Sequence, residues 1–288
     1  MDSWFARRPV RDMRPGEHAG LAYATREERD HIVGAFVRYG LSAAHKVIYV
    51  SDAQAGELPG LDDIDPLPYL ENGRLRLLGS ARACLTGGVF DPDRLYGTLS
   101  SEITRAQAEG HRDIRVTLDS SWVLEQPGGF DRLLACERMF GEAFTPSTTV
   151  MAVCQIDAAA CSREQLQALG EVHKVVAVPD PQFEDPVLRI TPTFQPCGLL
   201  LDGEIDASRH AIFTEALWSV AQDEREVHLD LAQLRFIDLG GLRMLAEFAV
   251  GRAERGPLVL DHVPSQLRNV MEIVGWHLLP GLRLGEVA

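Results

Sequence analysis

Two kinds of hydrophobic periodicity alternate along residues 10–178. Compact runs rich in β-forming residues predict strands, and apolar positions repeating every three or four residues between them predict helices. Two of those helices open with capping boxes, Thr25 with Glu28 and Ser162 with Gln165. The predicted strands are 19–23, 46–50, 74–78, 114–118, 149–156 and 175–178, and the predicted helices start near Thr25 and cover 95–110, 131–144 and 162–170. This order is typical of parallel βαβ units, which bind ligands at the carboxyl ends of their strands.

Proline-rich stretches interrupt the pattern twice. Residues 58–72 are rich in Pro and Asp, and we expect them to be irregular. Residues 179–197 carry five prolines and predict a linker followed by an irregular first edge of a second domain. We therefore expect domains at 10–178 and 187–288, joined by a linker at 179–186.

The most distinctive stretch of the second domain is 227–245. Alternating apolar residues predict a strand with a bend at Ala232-Gln233, and Leu242 begins a helical repeat. Between them, Gly240 and Gly241 predict a tight exposed turn, because glycine tolerates backbone angles that other residues avoid. The free N–H groups of the helix start would lie beside Asp238.

Three short motifs in this second domain resemble a STAS domain, the fold of anti-sigma-factor antagonists. The motifs are Gly203-Glu204-Ile205-Asp206, then Phe236-Ile237-Asp238 with Gly241-Leu242, and a closing helix at 270–275 followed by Leu278-Leu279. The resemblance implies binding to an anti-sigma factor of the serine-kinase class, which would free a sigma factor. The residues expected to contact this partner are Asp206, Asp238, Leu239, Gly240, Gly241 and Leu242.

Gly240 departs from the family pattern. The family carries a phosphorylated Ser or Thr there, and glycine has no hydroxyl, so we expect binding without the phosphoswitch. Asp206 has two interpretations, a partner contact or a cap for the helix near Ser208, and capping is favoured. Asp238, on an exposed strand exit, has no evident packing role and favours partner contact.

Composition narrows the class of protein. The chain has 288 residues, 45% apolar and 24% charged, as in soluble globular proteins. A net charge of −14 argues against binding nucleic acid, and no run is long enough to cross a bilayer. The N-terminus lacks the apolar core of a signal peptide, and the five cysteines lack a C-x-x-C pair, so we expect a cytoplasmic protein with reduced thiols.

The first domain resembles a MEDS domain (methanogen/methylotroph sensory), a relative of RecA-type ATPases. Its matching residues are short and spread in order over the domain: Gly16-Glu17-His18, Tyr23, Gly40-Leu41, 47–50 with Asp52, Ser121-Trp122, Glu137, Cys154-Gln155 with Asp157, and His173. The resemblance implies a RecA-like parallel-sheet sandwich that recognises small organic molecules and is linked to an output domain. The fold class expected for the whole chain is α/β in both domains.

The residues argue against ATP hydrolysis. A phosphate-binding loop needs glycines and a lysine, whereas the turn at 24–28 has neither and carries two carboxylates. The two lysines of the chain, Lys46 and Lys174, do not follow glycine-rich turns. Asp119, at a strand end, remains a candidate remnant of a magnesium ligand. A nucleotide-binding or degenerate ATPase module stays the alternative function.

Candidate ligand-binding residues gather at the predicted strand ends. His18, Cys154 and His173 have donor atoms that suit zinc or iron, but no local spacing supports a metal site, so we expect no metal and no cofactor. Lining an organic-ligand pocket or packing in the core are the alternatives. Trp122 fits equally a pocket rim or the core. The ligand-binding residues expected are His18, Tyr23, Asp119, Trp122, Cys154 and His173.

Together these features predict a cytoplasmic regulator that is not an enzyme. A sensory domain would gate a partner-binding domain, with an anti-sigma factor as the partner. A small organic ligand and a homodimer stay open, as does a role as a scaffold in a larger stress-signalling assembly.

Overall fold

The computed structural model describes residues 6–52, 57–59, 61, 64–221 and 225–285. The chain divides into two compact units, 1–178 and 179–288, which are described separately. Positions 60, 62 and 63 of the stretch predicted to be irregular lie outside the described residues. Within the described part of that stretch, residues 67–71 form a short helix.

The N-terminal unit is built on a seven-stranded sheet in which every pairing is parallel. Its strands are β1 (Ala6–Pro9), β2 (His18–Tyr23), β3 (Lys46–Val50), β4 (Leu75–Leu78), β7 (Ile114–Asp119), β8 (Val150–Asp157) and β9 (Val175–Val178), and a separate hairpin pairs β5 (Leu85–Thr86) with β6 (Val89–Phe90). The order across the sheet is β1-β9-β2-β8-β7-β3-β4. All six predicted strands are present, whereas the edge strand β1 and the hairpin strands β5 and β6 were not predicted.

In the described part of this unit, six α-helices connect the strands. They are α1 (Arg26–Ser42), α2 (Leu67–Glu71), α3 (Ser80–Cys84), α4 (Pro92–Ala108), α5 (Gly129–Phe144) and α6 (Arg163–Val172). The predicted capping box at Ser162 and Gln165 forms, with each side chain bonded to the other residue's backbone N–H. At Thr25 only half of the predicted box forms: Thr25 Oγ1 accepts the N–H of Glu28 at 3.1 Å, but the Glu28 carboxylate accepts from Ala24 and not from Thr25. In the described part of the chain, every helix is too short or too polar to cross a bilayer.

The sheet is covered on both faces, so alternate residues of one strand enter different cores. In β8, Ala152 and Cys154 pack with residues of α5, whereas Met151 and Val153 pack with residues of α1. Strand β2 lies directly beside β8, with Gly20 opposite Cys154. This alternation decides which side chains can meet between the sheet and α5.

The described residues of the C-terminal unit form a six-stranded mixed sheet with three α-helices. The strands are β10 (Phe183–Glu184), β11 (Leu188–Phe194), β12 (Cys197–Ile205), β13 (Val227–Ile237), β14 (Leu258–Asp261) and β15 (Leu282–Leu284), and the helices are α7 (His210–Ser219), α8 (Leu239–Gly251) and α9 (Ser265–Ile273). The strands follow one another in chain order, the first three antiparallel and the rest parallel.

The start of this unit is more regular than the prolines predict. Strand β10 lies within the expected linker, and β11 continues through Pro192. Because β10 pairs only with Arg189 and Ile190, β11 is an edge at Pro192, where a missing N–H is tolerated. The bend expected at Ala232-Gln233 is a shift of pairing register within one continuous strand, β13.

Candidate functional site

Four buried side chains converge between the central strands and the helices that cover them. His18 begins β2, Cys154 lies in β8, Glu137 lies in α5 and His173 follows α6. His18 Nε2 is 3.1 Å from Cys154 Sγ and 3.0 Å from Glu137 Oε2. His173 Nε2 is 3.2 Å from the same Glu137 oxygen. The structure thus brings together three of the predicted ligand-binding residues and adds a carboxylate.

The local sequence explains this convergence. His18 packs against Phe140 and Phe144 of α5, so it points to the same side of the sheet as Cys154. Gly20, on the same strand, leaves space for His173, because a Cβ on Gly20 would lie 2.9 Å from Cγ of that ring. The two imidazole rings are therefore neighbours, with centroids 4.4 Å apart.

Burial and mutual contact set the protonation of this cluster. Burial opposes ionisation of Glu137, but the positive charge of His173 and the proximity of both imidazoles outweigh it and lower its pKa. Burial also acts against protonation of His173, yet Glu137 raises its pKa, while burial lowers the pKa of His18. Burial raises the pKa of the Cys154 thiol well above its ordinary value. The pKa values of the two histidines therefore shift in opposite directions, and the charged form of Glu137 is favoured.

Two cavities flank the cluster. One, of about 300 Å³, is bordered by Glu137, Cys154 and His173 and is otherwise lined mainly by apolar residues of β2, β8, α5 and α6. The other, of about 870 Å³, is bordered by His18 and contains charged residues such as Arg138 and Lys174. The smaller cavity has the lining expected for an organic ligand.

The remaining predicted ligand-binding residues lie elsewhere in the N-terminal unit. The Tyr23 hydroxyl is 3.2 Å from Ser121 Oγ, which donates to Asp119 Oδ1 at 2.6 Å. Trp122 is half-buried, packs against Phe90 and donates its indole N–H to the Asp119 carbonyl, contacts that favour the packing interpretation. Tyr23 and Asp119 form a second group, separate from the histidine cluster.

The turn before α1 has its backbone donors already engaged. The N–H of Ala24 donates to a Glu28 carboxylate oxygen at 2.8 Å, and the N–H of Glu28 donates to Thr25. Lys46 is buried and pairs with Glu109 at 3.2 Å. Neither feature resembles a phosphate-binding loop.

In the C-terminal unit, Asp238 has a structural role that the sequence did not indicate. Its Oδ1 accepts the N–H of Gly241 at 2.7 Å and thereby caps α8, and it also accepts from His210 Nε2 at 2.8 Å. The Gly241 N–H, followed by His210, holds the pKa of this carboxyl below its usual range. The interpretation of Asp238 as a residue without packing purpose is therefore wrong.

Gly240 and Gly241 are needed because they lack a side chain, and not because they adopt unusual backbone angles. Helix α8 already begins at Leu239, and neither Gly240 nor Gly241 has a positive φ. A Cβ on Gly240 would lie 2.2 Å from Cε1 of His210, and one on Gly241 would lie 2.7 Å from Cγ1 of Ile237. The exposed glycine turn that we predicted is instead the closely packed first turn of a helix.

Of the other residues expected to contact the partner, some cap a helix or lie in the core, and others are exposed to solvent. Asp206 accepts the N–H of Ser208 at 3.1 Å and pairs with Arg209 at 3.0 Å, so it caps the start of this helical segment, as favoured. Leu242 is buried in the core. Leu239, in contrast, is 74% exposed, and Phe236 beside the same turn is 50% exposed.

Sequence reasoning missed the roles of two residues, Glu137 and His210. Glu137 had a usable signal, since it shares the apolar stripe of α5 with Leu133 and Phe140, where a carboxylate requires a partner. His210 had none, because its contact with Gly240 depends on how α7 packs beside α8.

With this geometry established, comparison with known families identifies both units. The N-terminal unit is an α/β domain of a sensory class: residues 17–174 match the model described as the methanogen/methylotroph, DcmR sensory domain. The chain belongs to this MEDS family. Residues 188–282 match the model described as the Mlab, STAS domain. The predicted fusion and the predicted fold class are both confirmed.

Solved structures show distant likeness. A KaiC-like protein from Pyrococcus horikoshii is 12% identical with a TM-score of 0.43, over 66% of this chain and 80% of that one. The flagellar accessory protein FlaH from Methanocaldococcus jannaschii is 10% identical with a TM-score of 0.39, over 64% and 80%. No curated protein matches the chain significantly.

Proposed function

We propose that the protein is a cytoplasmic signalling regulator and not an enzyme. Its MEDS domain binds a small organic molecule, and its STAS domain binds an anti-sigma factor of the serine-kinase class. The combination of a sensory family with a STAS domain supports this division of roles. Sequestering the anti-sigma factor would release a sigma factor for transcription.

The smaller cavity of the MEDS domain is the proposed ligand site. Its volume of about 300 Å³ and its mainly apolar walls fit a small organic molecule. Glu137, Cys154 and His173 form its polar wall, which would orient one polar group of the ligand. Ser120 and Gln155, near the carboxyl ends of β7 and β8, also line this cavity.

The proposed partner surface is the exposed apolar edge at the start of α8. The observation that supports this surface is the exposure of Leu239. This large apolar residue is 74% exposed on the first turn of α8, a helix that Asp238 caps. A groove beside it, lined by Phe236, Leu267 and Val270, continues the apolar surface. Exposed apolar residues clustered at one place are typical of a protein-binding site.

We further infer that this binding is not controlled by phosphorylation of position 240. Gly240 has no hydroxyl, and the ring of His210 occupies the space that a side chain there would need. The sensory domain would then control binding of the anti-sigma factor.

Isothermal titration of the full chain with a serine-kinase-type anti-sigma factor tests the proposal. We expect Leu239→Glu to weaken binding by about tenfold or more, since a charge would enter the apolar contact. Val250→Glu is the matched control, because Val250 is also exposed on α8, at the opposite end, and should leave affinity unchanged. Equal affinity of the two variants would contradict the proposed surface.

The proposal that the MEDS domain is not an ATPase has its own test. The Ala24 and Glu28 backbone donors already bind side chains, and the turn is acidic, so it offers little to a triphosphate. Titration with magnesium and ATP should produce no binding heat. Micromolar affinity would favour the alternative of a nucleotide-binding module.

A further inference from the structure

We propose that His18, Glu137, Cys154 and His173 form a metal site suited to Zn²⁺. Each side chain offers one donor atom, these atoms all lie within 4.8 Å of one another, and all four residues are buried. Two imidazole nitrogens, a thiolate and a carboxylate oxygen are a donor set that zinc accepts in tetrahedral sites. The inference goes beyond ligand sensing and partner binding and depends on neither.

The orientation of His173 is that of a metal ligand. Its Nδ1 donates to the Leu169 carbonyl at 2.8 Å, which directs Nε2 at the cluster. Metal-binding histidines usually use the second ring nitrogen in this way, and the bond fixes both tautomer and ring orientation. The helix that ends at His173 thus holds the donor in place.

Polar atoms at the centre of the cluster make ion-pair contacts but no hydrogen bond of ordinary geometry. Glu137 Oε2 lies 3.0 Å from His18 Nε2 and 3.2 Å from His173 Nε2, and the Glu137 and His173 atoms are without a hydrogen bond among the residues that the structure describes. Buried polar atoms are rarely left so, because their desolvation is not repaid. A cation between them would give both atoms a partner.

The spacing of the donors fits a central ion. Donors held at 2.0 to 2.3 Å by tetrahedral zinc lie about 3.3 to 3.7 Å from one another. The close pairs here, Glu137 with either imidazole and His18 with Cys154, are separated by 3.0 to 3.2 Å. Small side-chain rotations would therefore place all four donors around one ion.

Charge balance favours a divalent ion at this depth. A Glu137 carboxylate and a Cys154 thiolate cancel two positive charges, and both imidazoles bind metal as neutral groups. The resulting site carries no net charge, which suits a buried position. The two cavities that border the cluster give an ion short paths to it.

The test is metal analysis of the purified full chain. After equilibration with Zn²⁺ and removal of free ion, plasma mass spectrometry should find one zinc per chain. Loading with Co²⁺ instead should produce the intense visible bands of a tetrahedral site and a thiolate-to-cobalt charge-transfer band. Thiolate ligation by Cys154 predicts that this last band disappears in Cys154→Ser.

Matched variants separate ligation from packing. We expect Cys154→Ser and Glu137→Gln each to weaken zinc binding by at least about 100-fold. Cys84→Ser places the same hydroxyl at an equally buried cysteine outside the cluster and should retain one zinc. Circular dichroism checks that each variant is folded, and the wild-type cobalt spectrum gives the answer should both ligand variants unfold.

Two results would overturn the site. One is zinc well below one per chain in the wild type with no cobalt spectrum. The other is full zinc loading of folded Cys154→Ser and Glu137→Gln. Either would leave the cluster as a buried glutamate–histidine ion pair. Partner affinity is measured separately, so failure here is distinguishable from failure of the proposed function.

Discussion

The contact between Gly240 and His210 can be tested by adding a single methyl group. Gly240→Ala would place a Cβ 2.2 Å from Cε1 of His210, so the ring must move. His210 is a partly exposed side chain, and it can swing toward solvent only by leaving the 2.8 Å hydrogen bond to Asp238. The substitution therefore removes the hydrogen bond between His210 and Asp238 but introduces a residue with a higher helix propensity.

The magnitude follows from these two opposing effects. Loss of the hydrogen bond costs about 0.5 to 1.5 kcal/mol. Replacing glycine by alanine in a helix contributes up to about 1 kcal/mol, and about half of that in a first turn. We expect Gly240→Ala to destabilise the wild type by about 0.5 kcal/mol, and to stabilise a His210→Ala variant by about 0.5 kcal/mol.

Urea unfolding of the full chain, followed by circular dichroism, measures this double-mutant cycle. The expected coupling between the two positions is about 1 kcal/mol. Gly251→Ala is the control, since a Cβ at that end of α8 would meet no described atom within 4 Å. Its effect should be the same with and without His210. Equal effects of Gly240→Ala in both backgrounds would refute the reasoning.

Three further predictions concern caps and close contacts. Asp238→Asn should destabilise the protein at pH 7. Because folding lowers the pKa of Asp238, the wild type is more stable than the variant above the ordinary pKa of 3.8, and this difference in stability disappears as the pH falls below that value. Urea unfolding at a series of pH values measures the difference. Gly20→Ala should destabilise by about 1 to 3 kcal/mol, measured by thermal unfolding, since the new Cβ would displace His173. Ser162→Ala should cost about 1 kcal/mol by the same assay, through loss of the α6 capping box.

Each of these predictions has a clear contrary result. An Asp238→Asn effect that is unchanged at acid pH would show that the charge of the carboxylate contributes nothing. A neutral Gly20→Ala would mean that His173 has room to move, and Gly97→Ala, where the structure describes no atom within 4 Å, shows the gain expected without a clash. A neutral Ser162→Ala would show that water replaces the cap.

Most of the fold could be predicted because its strands and helices carry strong local patterns. Strand β8 is an apolar run buried on both faces, α1 begins at a Thr25 cap and α6 begins at a capping box. The strands that were missed include β1, β5, β6 and β10, which are short and have few buried residues. Strand β11 was missed as well, because the prolines in and beside it predicted an irregular edge. The formation of these strands depends on a neighbouring strand, which local sequence does not report.

The candidate site was predictable residue by residue but not as an arrangement. The family resemblance marked His18, Cys154 and His173, while the argument against a metal relied on spacing along the chain. Spacing carries little information here, because the donors come from β2, α5, β8 and the end of α6. Glu137 illustrates what the sequence lacks. A carboxylate on the apolar face of a helix indicates that it has buried partners, but the sequence does not show which residues these are.

The Gly-Gly pair illustrates a different limit. Glycine is used either for unusual backbone angles or for lack of a side chain, and the sequence does not distinguish these uses. At Gly240 the second use applies, and the neighbour responsible is on α7. Only packing between helices could reveal it.

The separation of His18 and Cys154 by 136 positions has a consequence for biosynthesis. A nascent chain has no such pocket of donors until β8 has emerged and entered the sheet beside β2, and His173 must follow later still. Any ion held there would be acquired only once the N-terminal unit has been synthesised and folded, so loading would report that this unit had folded.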